Sequence, residues 1–147
     1  MLGMVDISDK ENAERIAVAE GKIRLSDESI KAIEEKKVKK GDVFIVAETA
    51  ALMAIKRTFL SIPHCHPLPI THASIEFFIE GNDVVSRCKV KANYKTGVEI
   101  EALHGVMIAL LTIWDMVKYM EKDEKGQYPS TIIHDIRVIE KKVNKWE

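Results

Sequence analysis

The segment "PITHASIEFFIEGNDVVSRCKVKANY", residues 69–94, decides the fold. In its first half Ile70, Ile75 and Phe77 are set against Glu76 and other polar positions, the pattern of a half-buried strand. "GND" (81–83) turns the chain. In its second half Cys88, Val90 and Ala92 fall on one face, and Arg87, Lys89 and Lys91 on the other. Two strands joined this closely form an antiparallel hairpin with one apolar face, and the rest of the chain must cover that face.

Working outward toward the N-terminus, "ETAALMAIKRTFLSI" (48–62) reads as a helix with Leu52, Ile55 and Phe59 on one side, ended by Pro63. "DVFIVA" (42–47) reads as a short buried strand. "LSDESIKAIEEKKVKKGD" reads as a helix capped by Ser26, with lysines in its last turn and Gly41 as its stop. "ERIAVAEGKIRL" has the character of a strand, and residues 1–13 are expected to be flexible. Toward the C-terminus, Thr96 and Glu99 have the spacing of a capping box, opening a helix that runs to about Lys122. "STIIHDIRVIEKK" reads as a closing strand. From Asp42 onward the order is β-α-β-β-α-β. This is the split βαβ, ferredoxin-like motif of the α+β class, with an antiparallel sheet and helices on one face. An N-terminal strand and helix precede it, and one domain is expected over 1–147.

The long helix opened at Thr96 is apolar on every side from Ala102 to Trp114. It reads as too short and interrupted for a membrane span. A helix of this kind must be covered all round, and a two-layer domain covers only one side, so a second subunit is expected on the other. The composition agrees with a soluble globular chain: 46% apolar and 31% charged residues among 147, with a formal net charge of −1. That charge gives no basic field for nucleic acid. Two cysteines, Cys65 and Cys88, make no disulfide framework and suit a reducing cytoplasm. The N-terminus lacks the charged-then-apolar order of a signal peptide.

Three groups of residues carry chemistry. In "SIPHCHPL" (61–68) a thiol stands between His64 and His66. A metal site would need four ligands at wider spacing, and a Cys nucleophile with a His base would need a supporting acid. The better local reading is a proline-fenced loop that presents backbone N–H groups and one imidazole to a ligand. Asp115 and Lys118 lie three apart, on one face of the apolar helix. They form either a structural ion pair or an amine tuned by burial and a carboxylate for proton transfer. Glu99 and Glu101 follow the permissive Gly97, where a ligand edge could approach. Lys40 and Lys56, with His66 and Lys118, add positive charge suited to phosphates.

"MVDIS" (4–8), "KGDVF" (40–44), "AIKRT" (54–58), "IPHCHPL" (62–68), "KTGVEIEAL" (95–103) and "LTIWDMVK" (111–118) occur in this order. The set resembles the molybdenum cofactor biosynthesis protein C family, the cyclic pyranopterin monophosphate synthases, over nearly the whole chain. The resemblance implies a lyase that converts 3′,8-cyclo-7,8-dihydro-GTP into cyclic pyranopterin monophosphate with loss of pyrophosphate. It implies no cofactor or metal, and a hexamer, a trimer of dimers, with sites between subunits. By motif it assigns Asp115 and Lys118 to catalysis. It assigns His64, Cys65, His66, Ile100 and Glu101 to the substrate and matches Lys40 and Lys56 to basic positions near the site, with Lys10 and Arg15 as looser matches; Glu99 joins the candidate substrate residues by its place beside Gly97. Two departures stand out. His64 replaces the family's common Leu, and "RVIEKKVNKWE" (137–147) stands where many relatives carry a Gly-Gly-Lys-Ser-Gly tail.

Overall fold

Residues 13–24 centre on a buried run of small and branched apolar side chains, Ile16 to Ala19, flanked by polar ones, and they form β1 (Ala13–Arg24) inside a four-stranded sheet. The computed structural model describes residues 2–145; Met1, Trp146 and Glu147 of the expected 1–147 domain lie outside the described residues. After β1 come α1 (Asp27–Glu34), α2 (Val43–Lys56), the single turn α3 (Thr58–Ser61), β2 (Ile70–Glu80), β3 (Asp83–Tyr94), α4 (Glu99–Glu121) and β4 (Ile132–Lys145). The strands lie in the order β2-β3-β1-β4, every neighbouring pair antiparallel. This is the ferredoxin-like split βαβ arrangement expected from the hairpin.

The expected strand at 42–47 is corrected, because these residues open α2. Asp42 is the N-cap, accepting from the Ile45 N–H at 3.2 Å. Val43, Ala47, Ala51 and Ala54 then bury one helical face. A run such as Val-Phe-Ile-Val cannot be told from a strand by periodicity alone, and the small residues every fourth position are what seat it against α4. The motif therefore begins at β1. The N-terminal strand and helix are its own first elements, with α1 and α2 forming the first crossover.

Two helix ends also differ from expectation. Ser26 does cap α1, accepting from the Ser29 N–H, but the helix stops before the lysine run. Lys36 takes a left-handed φ of 54°, its N–H donates to Ile33 O, and the Lys37 N–H reaches Ala32 O. This is a Schellman turn with lysine in glycine's usual place. It releases Val38 to pack into the core. At α4 the Thr96–Glu99 capping box does not form; the N-cap is Val98, without a side-chain bond. Glu99 instead folds back over Gly97 into space that a Cβ would fill, and its Oε1 meets Lys141 Nζ at 3.2 Å.

The core lies between the sheet and the helices. Ala17, Ala19 and Ile23 of β1 and Val84, Cys88 and Val90 of β3 meet Ala102, Val106, Leu110, Ile113 and Val117 of α4. A bulge between Ile70 and His72 puts Ile70 on the same face as Ala73, Ile75 and Phe77, which explains their odd spacing. At Gly21 a Cβ would stand 2.7 Å from Val106 Cγ1, so glycine is what lets α4 lie this close to β1. The far face of the sheet carries ion pairs such as Arg87–Glu20 at 2.7 Å. By length and composition α4 could cross a membrane, which corrects the expectation that it is too short; half of that stretch is buried inside the domain. Its C-terminal end is anchored by Glu121. That carboxylate accepts from the Ser26 N–H and from the hydroxyls of Ser26, Ser29 and Thr131. Burial pushes the Glu121 carboxyl up, and these donors together hold it below its usual range.

Candidate active site

The two ends of α4 carry two separate clusters. At the N-terminal end the proline-fenced loop 63–67 packs against Gly97–Glu101 and encloses a cleft of about 460 Å³. His64, Cys65, His66, Glu99, Ile100 and Glu101 line it. The Cys65 thiol donates to Glu101 Oε2 at 3.2 Å. Burial, reinforced by the Glu101 carboxylate, pushes the thiol up to about 12, so it stays protonated and is no nucleophile near neutral pH. Glu101 is only 3% exposed. Burial raises its carboxyl above the ordinary 4.5, opposed by the Cys65 thiol and assisted by Glu99. Its second oxygen, Oε1, is buried without a hydrogen-bond partner among the described residues. Such an orphan acceptor is costly until a donor arrives, and a ligand N–H entering the cleft would supply one.

The N-terminal segment, expected to be flexible and matched to the site only loosely at Lys10, closes one side of this cleft. Val5, Ile7 and Lys10 line it. His66 Nε2 lies 2.8 Å from Val5 O, and since a carbonyl only accepts, Nε2 carries the proton. Lys95 Nζ donates to Ser8 O at 3.0 Å. Arg15 donates to Tyr94 O at 3.2 Å, tying the start of β1 to the end of β3. Lys141, also unforeseen, reaches the cleft through Glu99; the only signal was a lysine-rich closing strand, whose register could not be read in advance.

At the other end of α4, Asp115 sits between two lysines. Lys118 Nζ is 3.2 Å from Oδ1, and Lys40 Nζ is 3.2 Å from Oδ2 and 2.7 Å from the Asp115 carbonyl. Hydrogen bonds from Lys118 and then Lys40 hold this carboxyl below its usual range. Within one protomer burial does not tune this amine. The Asp115 and Lys118 side chains are 59% and 42% exposed, so charge rather than desolvation shapes the pair.

The expected site residues thus divide. Lys40 joins Asp115 and Lys118, while the His64–His66 loop joins Glu99–Glu101. Lys56 lies with neither; it lines a separate groove with Leu52, Leu68 and Thr71. Asp115 follows Glu101 by 115 − 101 = 14 helical residues, roughly 21 Å at 1.5 Å per residue. Among the described residues no group of three or more His, Cys, Asp or Glu side chains could hold a metal ion.

Fold and clusters together define a ferredoxin-like domain with polar sites at both ends of one apolar helix. The chain belongs to the MoaC family, which it matches over residues 4–143. It is 56% identical over 138 residues to a probable cyclic pyranopterin monophosphate synthase of Archaeoglobus fulgidus, covering 94% of this chain and 88% of that one. It is 53% identical to the protein of the same name in Pyrococcus furiosus, with the same coverage. A relative in Methanothermobacter thermautotrophicus, 51% identical over 94% of this chain and 87% of its own length, is named a probable cyclic pyranopterin monophosphate synthase accessory protein.

Proposed function

We propose that the two ends of α4 work together across a subunit boundary, each active site joining the cleft of one copy to the Asp115 cluster of another. The reaction is that of the family's synthases. It is a lyase step of molybdenum cofactor biosynthesis that turns 3′,8-cyclo-7,8-dihydro-GTP into cyclic pyranopterin monophosphate and pyrophosphate. The observation that carries the composite site is the separation of about 21 Å between the two clusters along one continuous helix. Between the clusters α4 exposes Ile100 (44%), Met107 (46%) and Leu111 (56%) on the stripe that ends in Asp115 and Lys118. A two-fold related copy laid antiparallel on this stripe would cover it and set Glu101 of each protomer toward Asp115 of its partner. A trimer of such dimers is the assembly the family resemblance implies.

The chemistry assigns roles. Pyrophosphate must leave with its charge neutralised, and ring rearrangement needs proton transfers. Lys118, held by Asp115, supplies a positioned proton or positive charge. Lys40 and His66 face the phosphates, with Lys56 nearby only if a partner brings it. The buried Glu101 and the Cys65–His66 backbone receive the polar edge of the base. The two cysteines are unpaired, Cys88 in the core, which supports a reducing cytoplasmic setting.

The test is turnover of the cyclic GTP-derived substrate, followed by pyrophosphate release. Asp115→Ala is expected to lower the rate roughly 10²-fold, the scale of a positioned acid–base group, while assembly persists. A wild-type rate in an assembled Asp115→Ala protein would reduce Asp115 and Lys118 to a structural ion pair.

A further inference from the structure

Lys40 reaches Asp115 from an irregular connector, residues 35–42, and something must fix that connector. Its ends are held locally. The Lys36 and Lys37 N–H groups close the end of α1, and the Gly41 N–H turns back to Val38 O. Lys36 and Gly41 both have positive φ, 54° and 115°, so the chain bends sharply on either side of Lys39–Lys40. Between these bends two contacts reach α4. The Val38 side chain packs into the core. The Lys39 N–H donates to Tyr119 Oη at 2.9 Å, and the Lys39 ammonium lies 5.3 Å from the centre of the Tyr119 ring.

Tyr119 stands four residues after Asp115, one turn further along the same exposed side of α4. Successive connector residues are therefore held by side chains one helical turn apart, Lys40 on Asp115 and Lys39 on Tyr119. A lysine side chain has many rotamers, and its ammonium stays on one carboxylate only if its own backbone is placed. The Tyr119 hydroxyl places that backbone one peptide away from Lys40. We infer that Tyr119 is a positioning residue that holds Lys40 over Asp115 by accepting the Lys39 N–H. It touches no reacting group itself. The inference rests on the active-site reading above.

Steady-state turnover of wild type, Tyr119→Phe, Lys40→Ala and the double variant tests it. Tyr119→Phe keeps the ring and removes only the acceptor, so the protein is expected to fold and assemble with a melting temperature within a few degrees of wild type. Its turnover should fall roughly 3- to 10-fold, the scale of one hydrogen bond of ordinary net strength. The fall should appear in whichever of kcat and KM Lys40→Ala also changes. Because the effect passes through Lys40, the double variant should turn over like Lys40→Ala alone. A wild-type rate in Tyr119→Phe overturns the inference, as do a change confined to the other kinetic parameter and effects that multiply in the double variant. A wild-type rate in Lys40→Ala would instead overturn the active-site reading itself.

Discussion

Mixing two inactive variants separates a composite site from one contained in a single protomer. Take His66→Ala, which damages the cleft, and Asp115→Ala, which damages the lysine-flanked carboxylate. His66 lines the cleft at the N-terminal end of α4 and Asp115 lies toward its C-terminal end; along the helix, Glu101 of the cleft and Asp115 are about 21 Å apart. Each variant alone is expected near 1% of the wild-type rate, since each lacks a positioned group in every site. After the subunits are unfolded and refolded together, random pairing makes about half of all dimers mixed, given two-fold symmetry. In a mixed dimer one site draws both lesions and the other draws neither. Half of the sites in half of the dimers are then intact, so turnover should climb to about one quarter of wild type. The assay is pyrophosphate release per subunit, with mass analysis to count mixed dimers. If mixed dimers form in the expected proportion and the rate stays at the level of the parents, each protomer holds a complete site and the reasoning fails.

Three further outcomes follow from the same geometry. The Glu101 carboxyl is raised above its ordinary value by burial, so the native state binds its proton more tightly than the unfolded chain does and loses stability as pH rises from the ordinary value through the folded pKa. Glu101→Gln should therefore raise the melting temperature at pH 8 but not at pH 4, while impairing turnover; an equal gain at both pH values would contradict the burial argument. Cys65, held up to about 12, should alkylate slowly at pH 8, with a rate still climbing beyond pH 10; a plateau near pH 8.5 would show an ordinary thiol. At Gly105 an added Cβ would lie 2.8 Å from Ile55 Cγ1 and 3.2 Å from Cys88 Sγ. Alanine gains about 1 kcal/mol of helix propensity but overpacking costs about 1–3 kcal/mol, so Gly105→Ala should lower the melting temperature by a few degrees. A rise would mean that α2 and α4 can move apart freely.

Local rules worked where one face of an element was buried and the other wet. The hairpin at 70–94 was legible because its period of two survives on a sheet with one charged face. They failed where packing overrode them. At 42–47 a β-branched run became helix because α4 offers a surface that Val43, Ala47 and Ala51 fit. At 96–99 a capping-box spacing went unused because Gly97 leaves room for the Glu99 side chain to turn back toward Lys141. The lysine run 36–40 left α1 because burying Val38 outweighs continuing a solvated helix.

By itself the sequence determined the class, the antiparallel hairpin and the long apolar helix, because spacing along the chain sets which side chains share a face; it offered candidate residues for the site without placing them. Only the tertiary structure decided which of those residues meet. Asp115 acquires Lys40 from 75 positions away, Cys65 meets Glu101 across 36, and the N-terminal segment crosses the cleft to His66. Each of these contacts depends on how α4 lies across the sheet. That placement is a matter of close packing at Gly21 and Gly105, a property of facing surfaces rather than of any one segment.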